Sequence, residues 1–337
     1  MVTRVGDGLG IGDVATQRER GPLQKMVASQ AFWVMIALIA ICLVMSWVEP
    51  NAFPTTDNFF NITRNFAFIG IIALGMTAVI ITGGIDLSVG SVMGLVGIVA
   101  GLFLQAHYPW WLAIGAGLVT GVACGVVNGF LIAYWRLAPF VVTLGMLSIA
   151  RSFAIVLSEN KMIYDFGPDA NIIYEIGGGQ MFGLANAVWL LIALTLIFAF
   201  VLNCTAWGRY VYAIGGNENA ARLTGVPVDL MKVQVYALSG LMAAISGIMV
   251  VGWQGSAINA LGVGYELRVI ASTVIGGANL MGGEGGAFGA FIGAALIEVI
   301  RNSLLMAGVD ANWQGAFVGL FIILAVLLEK VRGSRGG

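Results

Sequence analysis

The chain has 337 residues, of which 59% are hydrophobic and 10% charged, with a formal net charge of −1. A soluble domain carries about 25% charged residues, so this chain cannot cover a water-facing globule. Its long uncharged runs exclude a lipid-spanning barrel of short alternating strands, and nothing in its charge points to a nucleic-acid partner.

Residues 1–30 are polar, hold Arg4, Arg18, Arg20 and Lys25, and read as a cytoplasmic tail. The apolar run that follows has no small-residue cleavage site and reads as a retained helix. Crossing the hydrocarbon takes about 20 apolar residues, and about ten runs qualify. They cover 31–48, 64–83, 87–105, 110–134, 138–157, 188–206, 233–252, 265–280, 284–305 and 314–331. The sequence thus predicts an all-α, polytopic membrane protein with Gly-broken helices. Residues 31–331 form one transmembrane domain and 332–337 a short cytoplasmic tail. An even number of spans puts both termini on one side. Arg4, Arg18, Arg20, Lys25, Arg136, Arg209, Arg222, Lys232, Lys330, Arg332 and Arg335 fall on that side, which the positive-inside rule makes cytoplasmic. The opposite loop, 158–187, sets Glu159, Asp165, Asp169 and Glu175 against Lys161.

Between the second and third spans stands the stretch VIITGGIDLSVG, Val79 to Gly90. Asp86 is its lone carboxylate, with no acid between Asp57 and Glu159 and no base between Arg64 and Arg136. Gly276–Gly283, between the eighth and ninth spans, shares the pattern G-G-x-[D/N]-L-x-x-G and carries Asn279 in the place of Asp86. Two glycines close a helix, and Asp or Asn can cap the next one. One reading is a plain capped turn; the other is a discontinuous helix lining a solute path, and the two copies would be a parallel repeat.

Glycines recur every fourth residue at Gly90 and Gly94, then at Gly97 and Gly101, at Gly117, Gly121, Gly125 and Gly129, and at Gly285, Gly289 and Gly293. Spacing by four lines them on one helix face, which predicts close helix–helix packing. Cys42, Cys124 and Cys204 sit in or beside apolar runs with no disulfide or metal spacing. His107 stands alone and reads as a loop residue.

The cytoplasmic loop 207–232 holds a short helix signal. Asn217 can cap it, Glu218 sits in the first turn, Ala220, Ala221, Arg222 and Leu223 favour helix, and Gly225 and Pro227 follow its end. Two turns flanked by glycines make a knob that is either idle or docked in a partner's groove.

The stretches ITGGIDLSVGSVMGLVGIVAG, GVVNGFLIAYWRLAPFVVTLGMLSIARS, GRYVYAIGGNENAARLTGVPV and VIGGANLMGGEGGAFGAFIGAALIEVIRNSLL resemble the permease subunits of bacterial ABC importers for monosaccharides, the ribose, xylose, arabinose and galactose group. The resemblance runs from about Phe66 to Leu328 and implies a permease homodimer of about ten helices per subunit in the lipid of the bacterial inner membrane. It implies a cytosolic ATP-binding subunit below and a periplasmic sugar-binding protein above. A short cytoplasmic helix that inserts into the ATPase would here be Asn217 to Thr224, with contacts from Glu218, Ala221, Arg222 and Leu223.

The residues agree with that division of labour. None of Lys25, Lys161, Lys232 and Lys330 follows a glycine, so the chain has no phosphate-binding loop and ATP belongs to a partner. With no metal cluster, nucleophile elbow or His dyad, the chain is not an enzyme and has no catalytic residue. The rival is a self-powered secondary transporter or a channel for a small polar solute, which would need acids in mid-membrane. Glu298 is one, with Arg301 placed on the same face. A neutral sugar calls for scattered amides and hydroxyls. Asp86, Asn128, Thr143, Ser148, Asn279, Asn302 and Gln314 are the candidates, along with Asn312 and Trp313. For each, interhelical hydrogen bonding is the alternative.

Overall fold

The computed structural model describes residues 29–310 together with 313, 315–317 and 319–320. The N-terminal tail before Ser29, Asn312, Gln314, most of the tenth expected span and the C-terminal tail lie outside the described residues. In chain order the helices are α1 (Gln30–Val48), α2 (Thr56–Ile81), α3 (Val89–Gln105), α4 (Trp110–Ala133), α5 (Pro139–Leu157) and α6 (Ala170–Gly178). A hairpin of β1 (Gln180–Met181) and β2 (Leu184–Ala185) leads to α7 (Asn186–Cys204). Then come α8 (Ala206–Gly216), α9 (Glu218–Leu223), α10 (Val228–Gln254), α11 (Tyr265–Ile275) and α12 (Ala287–Met306).

Seven of these, α1, α2, α4, α5, α7, α10 and α12, are long and apolar enough to cross a bilayer. The third expected span is the 17-residue α3. The eighth, expected over 265–280, is shorter than its composition suggested. Helix α11 has 11 residues, about 16 Å against a hydrocarbon thickness of about 30 Å. Apolar content sets how much of a segment avoids water, but not how much of it is helix.

Helices α2 and α10 form the centre. From Phe66 to Ile81 every residue of α2 is buried. The periphery inverts this pattern: α1 buries only Val34 and Met45 and exposes Leu43 and Trp47. A helix that is apolar all round yet packed on one side expects lipid on the other.

The glycine ladders divide into two kinds. On α4, a Cβ at Gly125 would sit 2.8 Å from the Ala237 Cα of α10, and one at Gly129 2.6 Å from Val233 Cα. On α12, Gly289 and Gly293 lie against Gly276 and Ser272 at the end of α11. Both are the close helical packing that the spacing predicts. The α3 ladder differs. Gly101 faces Ala257, Gly97 faces Val251 of α10 and then Leu261, Gly94 faces Leu261, and Gly90 faces Gly262. Its partner is thus largely the non-helical chain between α10 and α11, met in reverse order along the groove. A face without Cβ atoms admits a run of turns as readily as a helix.

Both long loops hold elements beyond those expected. The 158–187 loop folds into a short 3₁₀ turn at Gly167–Asp169, α6 and the hairpin. Loop 207–232 begins with α8, whose N-cap Thr205 accepts the Gly208 N–H at 3.3 Å.

Candidate functional site

The two G-G turns are built alike. Gly83, at φ +77°, ends α2, with Gly83 N–H donating to Ile80 O at 2.8 Å and Gly84 N–H to Val79 O at 3.0 Å. Gly277, at φ +105°, ends α11, with its N–H donating to Val274 O at 2.9 Å and Ala278 N–H to Thr273 O at 3.1 Å. Both are Schellman closures, and both need a residue without a Cβ in the left-handed region. Each is followed by an Asx turn: Asp86 Oδ1 accepts the Ser88 N–H at 2.9 Å, and Asn279 Oδ1 accepts the Met281 N–H at 2.8 Å. The helix ends are offset by one residue relative to the shared motif. Contrary to the expectation from sequence, neither side chain caps the next helix; α3 starts after Ser88 and α12 after Gly286. An Asx side chain already bonded two residues on does not reach the first helical turn.

The turns touch: Gly283 N–H donates to Ile81 O at 2.8 Å. Gly215 of α8 packs against Ile81 O and Gly283 N so closely that a Cβ has no room, and the Tyr212 hydroxyl donates to Gly285 O at 2.7 Å.

Asp86 is 1% exposed. Its Oδ1 also accepts the Ser88 hydroxyl at 2.6 Å, and its Oδ2 accepts that of Ser239 at 2.8 Å. Asn128 donates to Ser88 Oγ at 3.0 Å, and Thr143 donates to Ile85 O at 3.3 Å. So Asp86, Asn128 and Thr143 come together. Asn128 and Thr143 lie about 6–8 Å inside the nearer ends of α4 and α5, which places the turn within the bundle. Three donors hold the carboxylate, and no described cation lies within 4 Å of it. Ser88 and Ser239 were missed from sequence. A serine two residues after Asp86 was a usable signal, whereas Ser239 is 153 residues away.

The other candidates lie elsewhere. Ser148 is exposed on α5. Asn279 occupies the second turn. Asn302 forms a reciprocal amide pair with Asn58, at 2.8 and 3.2 Å. Glu298, 1% exposed, accepts Arg301 Nε at 2.8 Å and Nη2 at 2.5 Å.

The short helix α9 begins as expected, with Asn217 Oδ1 accepting the Ala220 N–H at 3.0 Å. Ala221 is buried, Thr224 bonds Ala221 O at 2.9 Å, and Leu223 is 90% exposed. Arg222 donates to both Asp229 oxygens at 2.8 and 2.9 Å. That bond raises the Arg222 pKa above its ordinary value. Glu218 accepts from Lys232 at 2.7 Å, and Arg136 lies 3.5 Å from Asp229. The charged residues are therefore bound to the chain itself, and Leu223 is what the knob presents.

The family described as "Branched-chain amino acid transport system / permease component" matches residues 58–326. The chain belongs to this permease family. It is 36% identical over 301 residues to the ribose import permease protein RbsC of Haemophilus influenzae, covering 89% of this chain and 93% of that one. Against the fructose import permease protein FrcC of Rhizobium meliloti it is 37% identical over 305 residues, 88% and 83% of the two chains. Against the L-arabinose ABC transporter permease protein AraH of Azospirillum brasilense it is 30% identical over 322 residues, 96% and 93%. These relatives are transport permease components and not enzymes, and this permease is likewise a multi-pass protein of the inner membrane.

Proposed function

We propose that this permease is the membrane subunit of an ATP-driven, binding-protein-dependent importer of a monosaccharide, a ribose-like pentose, galactose or a related polyol. The observation that carries the mechanism is the knob. Its six-residue helix is held by ion pairs at Arg222–Asp229 and Lys232–Glu218, it exposes Leu223, and α8 beside it is seated on both G-G turns. Such a part suits a push from a cytosolic ATP-binding subunit and its transmission to the turn that holds Asp86. The sugar class rests on the similarity to the ribose, fructose and L-arabinose permeases. With it come a periplasmic sugar-binding protein, a permease homodimer, about ten spans with both termini cytoplasmic, and ATP bound only by the partner. A solute path lined from Asp86, Asn128, Thr143, Ser148, Asn279, Asn302 and Gln314 belongs to the same reading. The self-powered alternative is less well supported, because Glu298 is bonded to Arg301.

Reconstitution tests the reading. Proteoliposomes with the permease, its ATPase and its binding protein should accumulate sugar with ATP, and those with the permease alone should not. Accumulation by the permease alone on a proton gradient would refute it.

A further inference from the structure

The connection between α10 and α11 is the least conventional part of the bundle. Residues 257–262 are non-helical, a single bridge residue followed by turns, and lie in the glycine groove of α3. Backbone that is not helical survives at membrane depth only where protein or water satisfies it. At one end Ala257 and Ile163 exchange two backbone bonds, at 2.7 and 3.0 Å. Further along, the Asn259 amide donates to Asn160 Oδ1 at 2.9 Å. Arg151 Nη1 then donates to Asn259 O and, at 2.9 Å, to Leu261 O.

Arg151 is twelve residues along α5 and six from its end, about 18 Å and 9 Å from the two tips. It is therefore well inside the hydrocarbon depth. At the same level begins α11, with Glu266 in its first turn. The Glu266 carboxylate lies in the α3 groove against Gly90, and Arg151 lies against Gly94. The two charges attract without direct contact, since no ion pair joins them within 4 Å. Both are partly exposed, on a face that also exposes Val263 (64%) and Leu267 (49%). Ser148, one turn before Arg151 on the same side of α5, is exposed as well.

A partly exposed guanidinium and a partly exposed carboxylate, one of them about 9 Å inside the nearer end of α5, cannot face acyl chains without a large cost. We propose that the face shared by α5, residues 257–264 and α11 is the water-filled solute path, with Arg151 and Glu266 as a polar constriction that exchanges hydrogen bonds with the hydroxyls of a neutral monosaccharide. The chemistry fits: Glu266 accepts from hydroxyls, and the Arg151 nitrogens beyond Nη1 donate to them. The sugar in this inference rests on the importer reading; the water does not.

The test uses thiol labelling of the full chain in proteoliposomes, after Cys42, Cys124 and Cys204 are replaced by Ser. A charged methanethiosulfonate reagent attacks only ionised thiols in water. Val263→Cys should label about tenfold faster than Leu43→Cys on the lipid-facing side of α1. Ribose, arabinose or galactose in excess should slow the labelling, and Glu266→Gln should remove that protection while the labelling itself persists. Equal rates at the two cysteines would overturn the path. Fast labelling that no sugar slows would overturn the constriction as a sugar contact. Labelling needs neither the ATPase nor the binding protein, so a failure of ATP-driven uptake is read separately.

Discussion

Ser239 on α10 donates its hydroxyl proton to Asp86, 153 residues earlier in the chain, at 2.8 Å. The bond ties the first G-G turn to the central helix. It makes Asp86 a buried acceptor whose donors would be stranded by its removal. Asp86→Ala removes the acceptor of the Ser88 amide, the Ser88 hydroxyl and the Ser239 hydroxyl, at a cost of about 1–3 kcal/mol for each buried group left unpaired. Asp86→Asn keeps the acceptor at Oδ1, and the Ser239 hydroxyl can turn to accept from the new amide. Thermal unfolding in detergent should therefore show a large loss for Ala and a small one for Asn. Equal losses would mean that the charge and not the hydrogen-bond geometry holds the turn.

Glycines on one ladder should differ sharply from glycines off it. A Cβ at Gly125 meets the backbone at Tyr236 O and Ala237 Cα, which cannot yield as a side chain would. Overpacking of this kind costs about 1–3 kcal/mol. On the same helix, a Cβ at Gly115 meets nothing within 4 Å. Gly115→Ala should be neutral or stabilising by up to about 1 kcal/mol through helix propensity. Melting temperatures of the two variants check this directly.

The carboxylate of Glu298 is buried and Arg301 is its bonded partner. Removing one member of a buried pair leaves an uncompensated charge, about 3–5 kcal/mol destabilising, whereas removing both is far milder. Arg301→Gln should lower detergent-stable yield, and adding Glu298→Gln should recover most of it. A double variant as unstable as the single one would place the instability elsewhere than in the stranded carboxylate.

What could be read from the residues alone follows the range of the interactions. The Asn217 cap, both helix-ending glycine pairs and the long spans depend on neighbours within a few residues, and local pattern reveals them. The α4 ladder was legible as packing, since its period is helical. The partner of the α3 ladder was not, because Gly90 to Gly101 look the same whether a helix or residues 257–262 fill the groove. For the same reason the half-length of α11 escaped notice, since apolar content continues past Ile275. In the candidate site, Asp86, Asn128 and Thr143 are polar residues in apolar runs and stood out, whereas Ser239 looked like any interhelical serine. Arg151 and Glu266, 115 residues apart, are brought to one groove, without contact, only by the fold.

The knob's charges face inward, and this changes what a charge reversal there would measure. Arg222→Glu would place a carboxylate beside Asp229 and Glu218, so the knob would come apart whether or not a partner docks. Pairing it with Asp229→Arg restores an ion pair in reverse order but sets a cation beside Arg136, and should recover part of the loss. Leu223 separates docking from folding, since its side chain is 90% exposed and supports nothing in the chain. Leu223→Asp should leave the melting temperature unchanged, weaken pull-down of the ATPase and lower sugar-stimulated ATP hydrolysis. Ala221→Pro, in the buried middle of α9 where proline costs about 3 kcal/mol, should weaken pull-down and also loosen the knob. Pull-down that is unchanged in both variants would show that the ATPase does not use this helix, and the importer would then need another contact to receive its power stroke.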